Sequence, residues 1–483
     1  MGSICNRGPV VINRKPTQVT EYSKNFDIRT KYEFVSILGS GSFGKVRLYR
    51  ERQSRGMKYA IKTLVKEGVT RNIFNCLISE VNILRGLDHP NIVKYYETFE
   101  DEYYVHIVME YLQGDDLYKI LAQQDKELEE RNICDISKQL LKALSFIHKK
   151  NIVHRDIKPE NILFSKKDDY STLKLIDFGL ATSATRKKDK SAVGSPYYMA
   201  PEIIQGKYST KTDMWSLGVI LHLMLTGSFP FKGDKDGGEK DVFYHIVNSP
   251  FDSKKIDEAP FSDESKDLVK KLLVKSEDKR LSAEEALCHP WMTKFIRGNR
   301  KSTLINKDTL DAIKVFTTKS ALQKEILFFI AKITNESEIA RLREMFNQLD
   351  TSNSGTLTIT EIRKAFLKLG HQLNEEEMTH LWKGLDFHQD GKINYTEFLA
   401  ATLNSLNFSK EEEIWSAFKY FEETESGKEG VISVESLLKA IRSFNITVNE
   451  EDIRKGFDEL ENKGKVLDFD VFKELVTNKN QGN

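Results

Sequence analysis

His154-Arg155-Asp156-Ile157-Lys158-Pro159-Glu160-Asn161 is followed, 21 residues after its first aspartate, by Asp177-Phe178-Gly179. Any one of these charged residues reads equally well as a surface group, but their company is not accidental. Upstream, Leu38-Gly39-Ser40-Gly41-Ser42-Phe43-Gly44-Lys45-Val46 is a glycine-rich turn between two strand-like runs, Phe34–Leu38 and Val46–Tyr49. Glycines let backbone amides approach phosphate oxygens with no Cβ in the way. Such a turn alone is a weak sign, since dinucleotide folds use it too; here it leads into another strand rather than a helix. Tyr59-Ala60-Ile61-Lys62 follows on a third strand-like run, Lys58–Lys62, and then Glu80 on a helical segment. Downstream stand Gly194-Ser195-Pro196-Tyr197-Tyr198-Met199-Ala200-Pro201-Glu202, Asp213-Met214-Trp215-Ser216-Leu217-Gly218 and Arg280. The pattern turns helical after the strands, as over Ile133–Lys149, with Asp88-His89-Pro90-Asn91 as a loop.

Taken in order, these elements resemble the signature set of the eukaryotic protein kinases. The resemblance implies a two-lobed α+β catalytic domain over residues 34–292, using ATP and Mg²⁺. Phosphoryl transfer asks for positioning and charge neutralisation more than for covalent help. By the resemblance, Lys62 holds the α and β phosphates and is steadied by Glu80. Asp177 and Asn161 hold Mg²⁺, and Asp156 orients or accepts the proton of the substrate hydroxyl. Lys158, two residues beyond Asp156, balances charge on the transferred group, the serine/threonine form of the motif, and Ser195 agrees with that class. Leu38, Val46 and Ala60 would line the nucleotide pocket with the glycine-rich turn, Glu110 and Leu112 would meet the adenine, and Met109 would form the back wall. Glu160 and Asp116 stand where arginines upstream of the phosphorylated residue are met. A helix-start acid is an equally good account of Asp116. Arg155 could couple to phosphorylation at Thr185 or Ser191.

The last 150 or so residues repeat a helix–loop–helix unit whose loop aliphatics, Leu357, Ile393, Ile432 and Leu467, are 36, 39 and 35 residues apart. Asp350–Glu361 matches an EF-hand calcium loop. Asp350, Ser352 and Ser354 stand at positions 1, 3 and 5, the Thr356 carbonyl at 7, Gly355 at the sharp turn and Glu361 at 12. Asp386–Glu397 is a second loop, with Asp386, His388, Asp390, the Lys392 carbonyl, Asn394 and Glu397. Both deviate at position 3, where Ser352 offers a neutral hydroxyl and His388 a nitrogen, a poor ligand for a hard cation. Calcium is expected in both. The third and fourth units lose their ligands: Glu425, Gly427 and Ser436, then Leu460 and Val471, stand at ligand positions. These two are expected to pack and to contact partners.

Length and composition agree with several domains. At roughly 150 residues per domain, 483 residues suggest about three. The apolar fraction of 39% supplies large cores, and a net charge of +1 gives no sign of a nucleic-acid binder. Cys5, Cys76, Cys134 and Cys288 lack the spacing of a zinc site or a disulfide framework, and no secretory or membrane-spanning run is found. An intracellular, cytoplasmic protein is expected. Neutrality conceals asymmetry: residues 293–332 carry nine Lys or Arg against three acids, and from 333 onward 18 basic residues face 28 acidic ones. Within 310–333, Leu322, Ile326, Phe329, Ile330 and Ile333 fall on one face of a helix.

As a whole the chain resembles the calcium-dependent protein kinases, in which kinase, junction and an all-α, calmodulin-like EF-hand domain share one polypeptide. The organisation expected is an N-terminal extension (1–33), kinase (34–292), basic autoinhibitory junction (293–333), calcium-competent EF-hand pair (334–404) and degenerate pair (405–483). The resemblance implies a calcium-activated serine/threonine kinase, held off by the junction helix until calcium lets the EF-hand domain capture it. Protein substrates with upstream basic residues are expected, and a monomer. Two rivals are a calcium-insensitive kinase that docks through its EF-hand region and a calcium-dependent scaffold with a vestigial kinase fold. Met1-Gly2-Ser3-Ile4-Cys5-Asn6 offers Gly2 for myristoylation and Cys5 for palmitoylation, although Asn6 replaces the preferred hydroxyl residue. Two lipid chains would give stable peripheral membrane attachment where one would not.

Overall fold

The computed structural model describes residues 27–41, 44–52, 57–66, 71–123, 128–183, 195–233, 238–295, 306–334, 339–403, 411–422, 430–443, 449–462 and 464–477. The chain forms two compact units, one of residues 1–86 with 94–111 and one of 87–93 with 112–483.

In the first unit a short helix, α1 (Ile28–Lys31), precedes β1 (Tyr32–Gly41), β2 (Gly44–Glu51) and β3 (Lys58–Val65). Helix α2 (Arg71–Arg85), β4 (Tyr95–Glu100) and β5 (Tyr104–Glu110) follow. The sheet is antiparallel with strand order β1-β2-β3-β5-β4. Ile61, Leu64, Val105, Ile107 and Val108 are buried along its central strands. Its register carries function. Gly39 pairs with Val46, and Val46 with Lys62, while Ala60 lies opposite Leu48 on one side and Met109 on the other. Residues expected at the nucleotide therefore fall into two adjacent rows across the strands. Gly44 has to be glycine, because a Cβ there would strike the Thr63 carbonyl of β3.

The second unit opens with the loop 87–93 and α3 (Leu117–Ala122). The long α4 (Glu130–Lys149) follows; its Ile133, Ile136, Leu140, Leu144 and Ile147 are wholly or almost wholly buried. Strands β6 (Ile152–Val153) and β9 (Thr182–Ser183) pair, as do β7 (Ile162–Lys166) and β8 (Asp169–Leu175). Helices α5 (Pro201–Ile204) and α6 (Thr210–Thr226) follow; Ser209 caps α6 and Gly227, at φ 64°, ends it. Then come α7 (Gly238–Asn248), α8 (Lys254–Glu258), α9 (Asp263–Leu272), α10 (Ala283–Leu287) and α11 (Trp291–Lys294).

The described residues of the junction from 306 on form two helices, α12 (Lys307–Thr317) and α13 (Ala321–Ile333), where the sequence pattern suggested one over 310–333. The break has a local cause: Ser320 accepts from the Gln323 amide and Gln323 returns a bond to the Ser320 amide, so the chain starts a fresh helix. Among the described residues eight further helices follow: α14 (Ala340–Leu349), α15 (Ile359–Lys368), α16 (Glu375–Leu385), α17 (Tyr395–Thr402), α18 (Glu411–Glu422), α19 (Val434–Ser443), α20 (Glu450–Asn462) and α21 (Phe469–Thr477). The loop aliphatics read from the repeat turn out to pair with one another. Leu357 and Ile393 exchange backbone bonds of 2.8 and 3.0 Å, and the Ile432 amide donates to Leu467 at 2.9 Å. The degenerate pair thus keeps the pairing after losing the ligands. No described helix is long and apolar enough to cross a membrane.

Candidate active site and calcium loops

In the first unit, Lys62 Nζ lies 2.6 Å from Glu80 Oε1, and both side chains are almost wholly buried. The ion pair holds the β3 ammonium in one place, as a phosphate ligand must be held. Glu110 is fixed by the Lys94 amide, which donates to its Oε1 at 2.6 Å, while its own amide donates to the Lys94 carbonyl at 3.0 Å.

In the second unit, the catalytic loop places Asp156, Lys158 and Asn161 together. Asn161 Nδ2 donates to the Asp156 carbonyl at 2.8 Å and to Asp156 Oδ2 at 3.1 Å. Lys158 Nζ is 2.8 Å from the same carboxylate, and Ser195 Oγ donates to Asp156 Oδ1 at 3.4 Å. Asp156 is therefore an aimed carboxylate with a cation beside it. That is what orienting a hydroxyl next to a departing phosphoryl group requires. Asp177 takes φ 58°, a left-handed backbone that turns the chain sharply, and the Gly179 amide donates to its Oδ1 at 3.3 Å. Asp177 carboxylate and Asn161 amide oxygens are hard donors, the chemistry Mg²⁺ takes. Held by these two residues, the ion would supply positive charge to neutralise the phosphates.

Behind the loop, Asp213 is the support that the motif reading quoted without giving it a task. Its Oδ2 accepts from the His154 amide at 2.9 Å and faces His148 Nε2 at 2.8 Å, while Oδ1 accepts from the Arg155 amide at 2.9 Å. Burial pushes this carboxyl upward, but the hydrogen bonds and His148 outweigh it and hold it below the usual range. Arg155, at φ 67°, donates from Nε to the Leu180 carbonyl at 2.6 Å and lies over the Tyr208 ring. Glu202 and the buried Arg280 form a two-bonded pair at 2.5 and 3.0 Å. Asp116 caps α3, accepting from the Lys119 amide at 2.8 Å and pairing with its ammonium, whereas Glu160 is exposed. Ser42, Phe43, Thr185, Ser191, Gly2 and Cys5 lie outside the described residues.

The first calcium loop gathers its oxygens. Asp350 Oδ1 accepts from Ser352 Oγ at 3.2 Å and the Ser354 amide at 2.8 Å, and Oδ2 from the Gly355 amide at 2.8 Å. Ser354 Oγ reaches the Thr356 carbonyl at 2.7 Å. Glu361 closes back on the loop, its Oε1 accepting from Thr351 Oγ1 and the Ser352 amide, its Oε2 from Thr358. Burial raises Glu361, but these bonds outweigh it, and the carboxyl stays ionised below its usual range. Five neighbouring oxygen donors with two carboxylates suit calcium.

The second loop is arranged differently. Asp386 accepts from the Asp390 and Gly391 amides, both at 3.0 Å, but His388 Nδ1 stands 2.9 Å from Glu397 Oε1. Its Nε2 is 3.6 Å from Glu325 Oε1 on α13. Burial alone would lower this imidazole; the two carboxylates outweigh it and carry it to about 9. Position 3, expected as a calcium ligand, here turns its ring onto the position-12 carboxylate.

The EF-hand region also touches kinase elements within the same unit. The Thr396 amide and hydroxyl both donate to Asp88 at 2.9 Å, and Lys142 Nζ donates to Asn347 Oδ1 at 3.1 Å. A Cβ on Gly355 would fall 2.6 Å from His89 and 2.7 Å from Phe146. Lys142 is buried, which lowers its ammonium to about 8 although Asp350 pulls the other way. No sequence motif marks Asp88, Lys142, Asn347 or Thr396.

Residues 32–292 match the protein kinase domain family, and residues 339–403 match the EF-hand domain pair. The chain is 33% identical over 463 residues to calcium-dependent protein kinase 34 of Arabidopsis thaliana, covering 95% of this chain and 86% of that protein. It is 35% identical over 424 residues to calcium-dependent protein kinase 2 of Zea mays, covering 87% and 81% respectively. With calcium-dependent protein kinase 11 of Oryza sativa subsp. japonica it shares 33% identity over 453 residues, 93% of this chain and 77% of that one.

Proposed function

We propose a mode of regulation for this chain, which belongs to the calcium-dependent protein kinases and transfers the ATP γ-phosphate to protein serine and threonine under calcium control. At rest the basic junction, residues 293–333, blocks the kinase; calcium at the first hand makes the EF-hand region hold the junction away. The observation that carries this reading is the seating of α13. Leu322, Ile326, Phe329, Ile330 and Ile333 are all buried, and Phe329 lies 4.7 and 4.3 Å from the rings of Tyr420 and Phe421 on α18. An amphipathic helix held by its apolar face within EF-hand helices supports reading it as a captured segment.

The substrates carry basic residues upstream of the phosphorylated hydroxyl. Exposed Glu160 supports this, while Asp116, committed to capping α3, contributes less. The chain acts as a monomer in the cytoplasm, attached peripherally to membrane through acylated Gly2 and Cys5.

Phosphate transfer to an arginine-containing serine peptide, with Mg-ATP, across a calcium titration against chelator tests the switch. A steep rise with calcium supports it; activity that stays flat and high would reduce the hands to a docking device. Phe329→Asp, which unseats α13, should remove the calcium response.

A further inference from the structure

A calcium loop works by turning its twelfth-position carboxylate back onto an ion held by positions 1, 3 and 5. In the second loop that carboxylate already has an occupant. Glu397 is fully buried; its Oε2 accepts from the Asn394 amide at 2.9 Å, whereas Oε1 has no hydrogen-bond donor and faces His388 Nδ1 at 2.9 Å. On the far side of the ring, Nε2 lies 3.6 Å from Glu325, a second buried carboxylate whose Oε2 is likewise without a donor. A lone buried carboxylate oxygen is costly, and Nδ1 of the ring beside Glu397 Oε1 is the compensation at hand, with Nε2, which has no hydrogen-bond partner of its own, turned towards Glu325. Phe328 and Phe387 enclose the ring at 4.9 and 4.1 Å, so swinging it out would open both aromatic contacts.

We propose that the second loop does not take calcium: the His388 imidazole occupies the place of the cation, joins Glu397 to Glu325, and fastens α13 to the second hand with or without calcium. This deepens the regulatory reading and rests on the first loop as sensor. Capture of the junction is then half built in, and calcium at Asp350–Glu361 decides the rest.

Calcium binding to the full chain, stripped with chelator and followed by titration calorimetry, tests it. The native chain should bind one calcium in the range of sensor loops, about 10⁻⁷–10⁻⁵ M. Glu361→Gln should bind none, and Glu361→Gln with His388→Asp should regain one site. A calcium that persists in Glu361→Gln and disappears on adding Glu397→Gln overturns the proposal, as does a folded Glu361→Gln, His388→Asp chain with no site. If the aspartate variant does not melt cooperatively, His388→Asn replaces it, and the Glu361→Gln chain alone still decides whether the second loop binds. A native chain with no site at all would overturn the sensor reading while agreeing with an occupied second loop.

Discussion

Asp156 is held from three sides, by Asn161, Lys158 and Ser195. Asp156→Ala should lower phosphate transfer by about 10²–10⁴-fold. The calcium isotherm of the same variant should be unchanged, because the partners of Asp156 are Asn161, Lys158 and Ser195 and none belongs to either loop. Asp213 acts one step back. Asp213→Asn keeps the shape but removes the charge that two backbone amides and His148 face, and should cost about 2–3 kcal/mol in denaturant unfolding. Its carboxyl is held below the ordinary range, so the advantage of the native chain is complete at neutral pH. That advantage should shrink as pH falls through the folded value, when the native group protonates too. The residues proposed as catalytic could be picked out in the sequence because their types and spacings are those that a phosphate and a metal ask for. Asp213 was legible as a motif member only. Its task depends on His148, 65 residues away, which no local pattern announces.

The junction shows what periodicity reads and what it misses. The apolar face of α13 follows from the spacing of its five aliphatic and aromatic residues. The break before it was also in the sequence, as a serine with glutamine three residues on, but that capping signal is short and yields easily to the longer apolar pattern. What the junction helices press against was not legible, because the contact is made by absences. Gly384 of α16 sits where a Cβ would fall 2.5 Å from the Thr317 Cβ at the end of α12, and Gly456 of α20 where one would fall 2.9 Å from the Leu322 Cβ on α13. Both close approaches meet atoms near the backbone, which cannot swing aside. Gly384→Val and Gly456→Val should each destabilise the captured, calcium-loaded chain by about 1–3 kcal/mol, the usual cost of overfilling a packed contact. Thermal melting would show it, and the same variants should need more calcium for full activity. Equal stability with an unchanged calcium midpoint would mean that the junction is not held at these two glycines.

The molecule as a whole ties its sensor to its enzyme through polar contacts of very long chain separation, 308 residues between Asp88 and Thr396 and 205 between Lys142 and Asn347. Ordinary residue types at such separations leave no mark in a single sequence, which is why the docking of the EF-hand pair could be found only in the structure. The contact carries a sign. Lys142 is a buried cation beside the first calcium loop, and Asp350 is among the charges acting on it. Burial keeps solvent from screening the pair, so the ammonium opposes an arriving divalent cation more than a surface lysine would. Lys142→Met keeps most of the apolar stem and removes the charge. It should tighten calcium binding at the first loop by about threefold or more, since affinity in such loops follows the local charge. The gain should persist in moderate salt. Asp88→Ala, which releases Thr396 without altering charge at the loop's ligands, separates docking from electrostatics: it should loosen the contact yet tighten calcium binding far less than Lys142→Met. If both variants shifted the isotherm equally, release of the docked hand, rather than the lysine's charge, would be what sets calcium affinity, and binding and docking would then compete by the reciprocity that any two coupled equilibria obey.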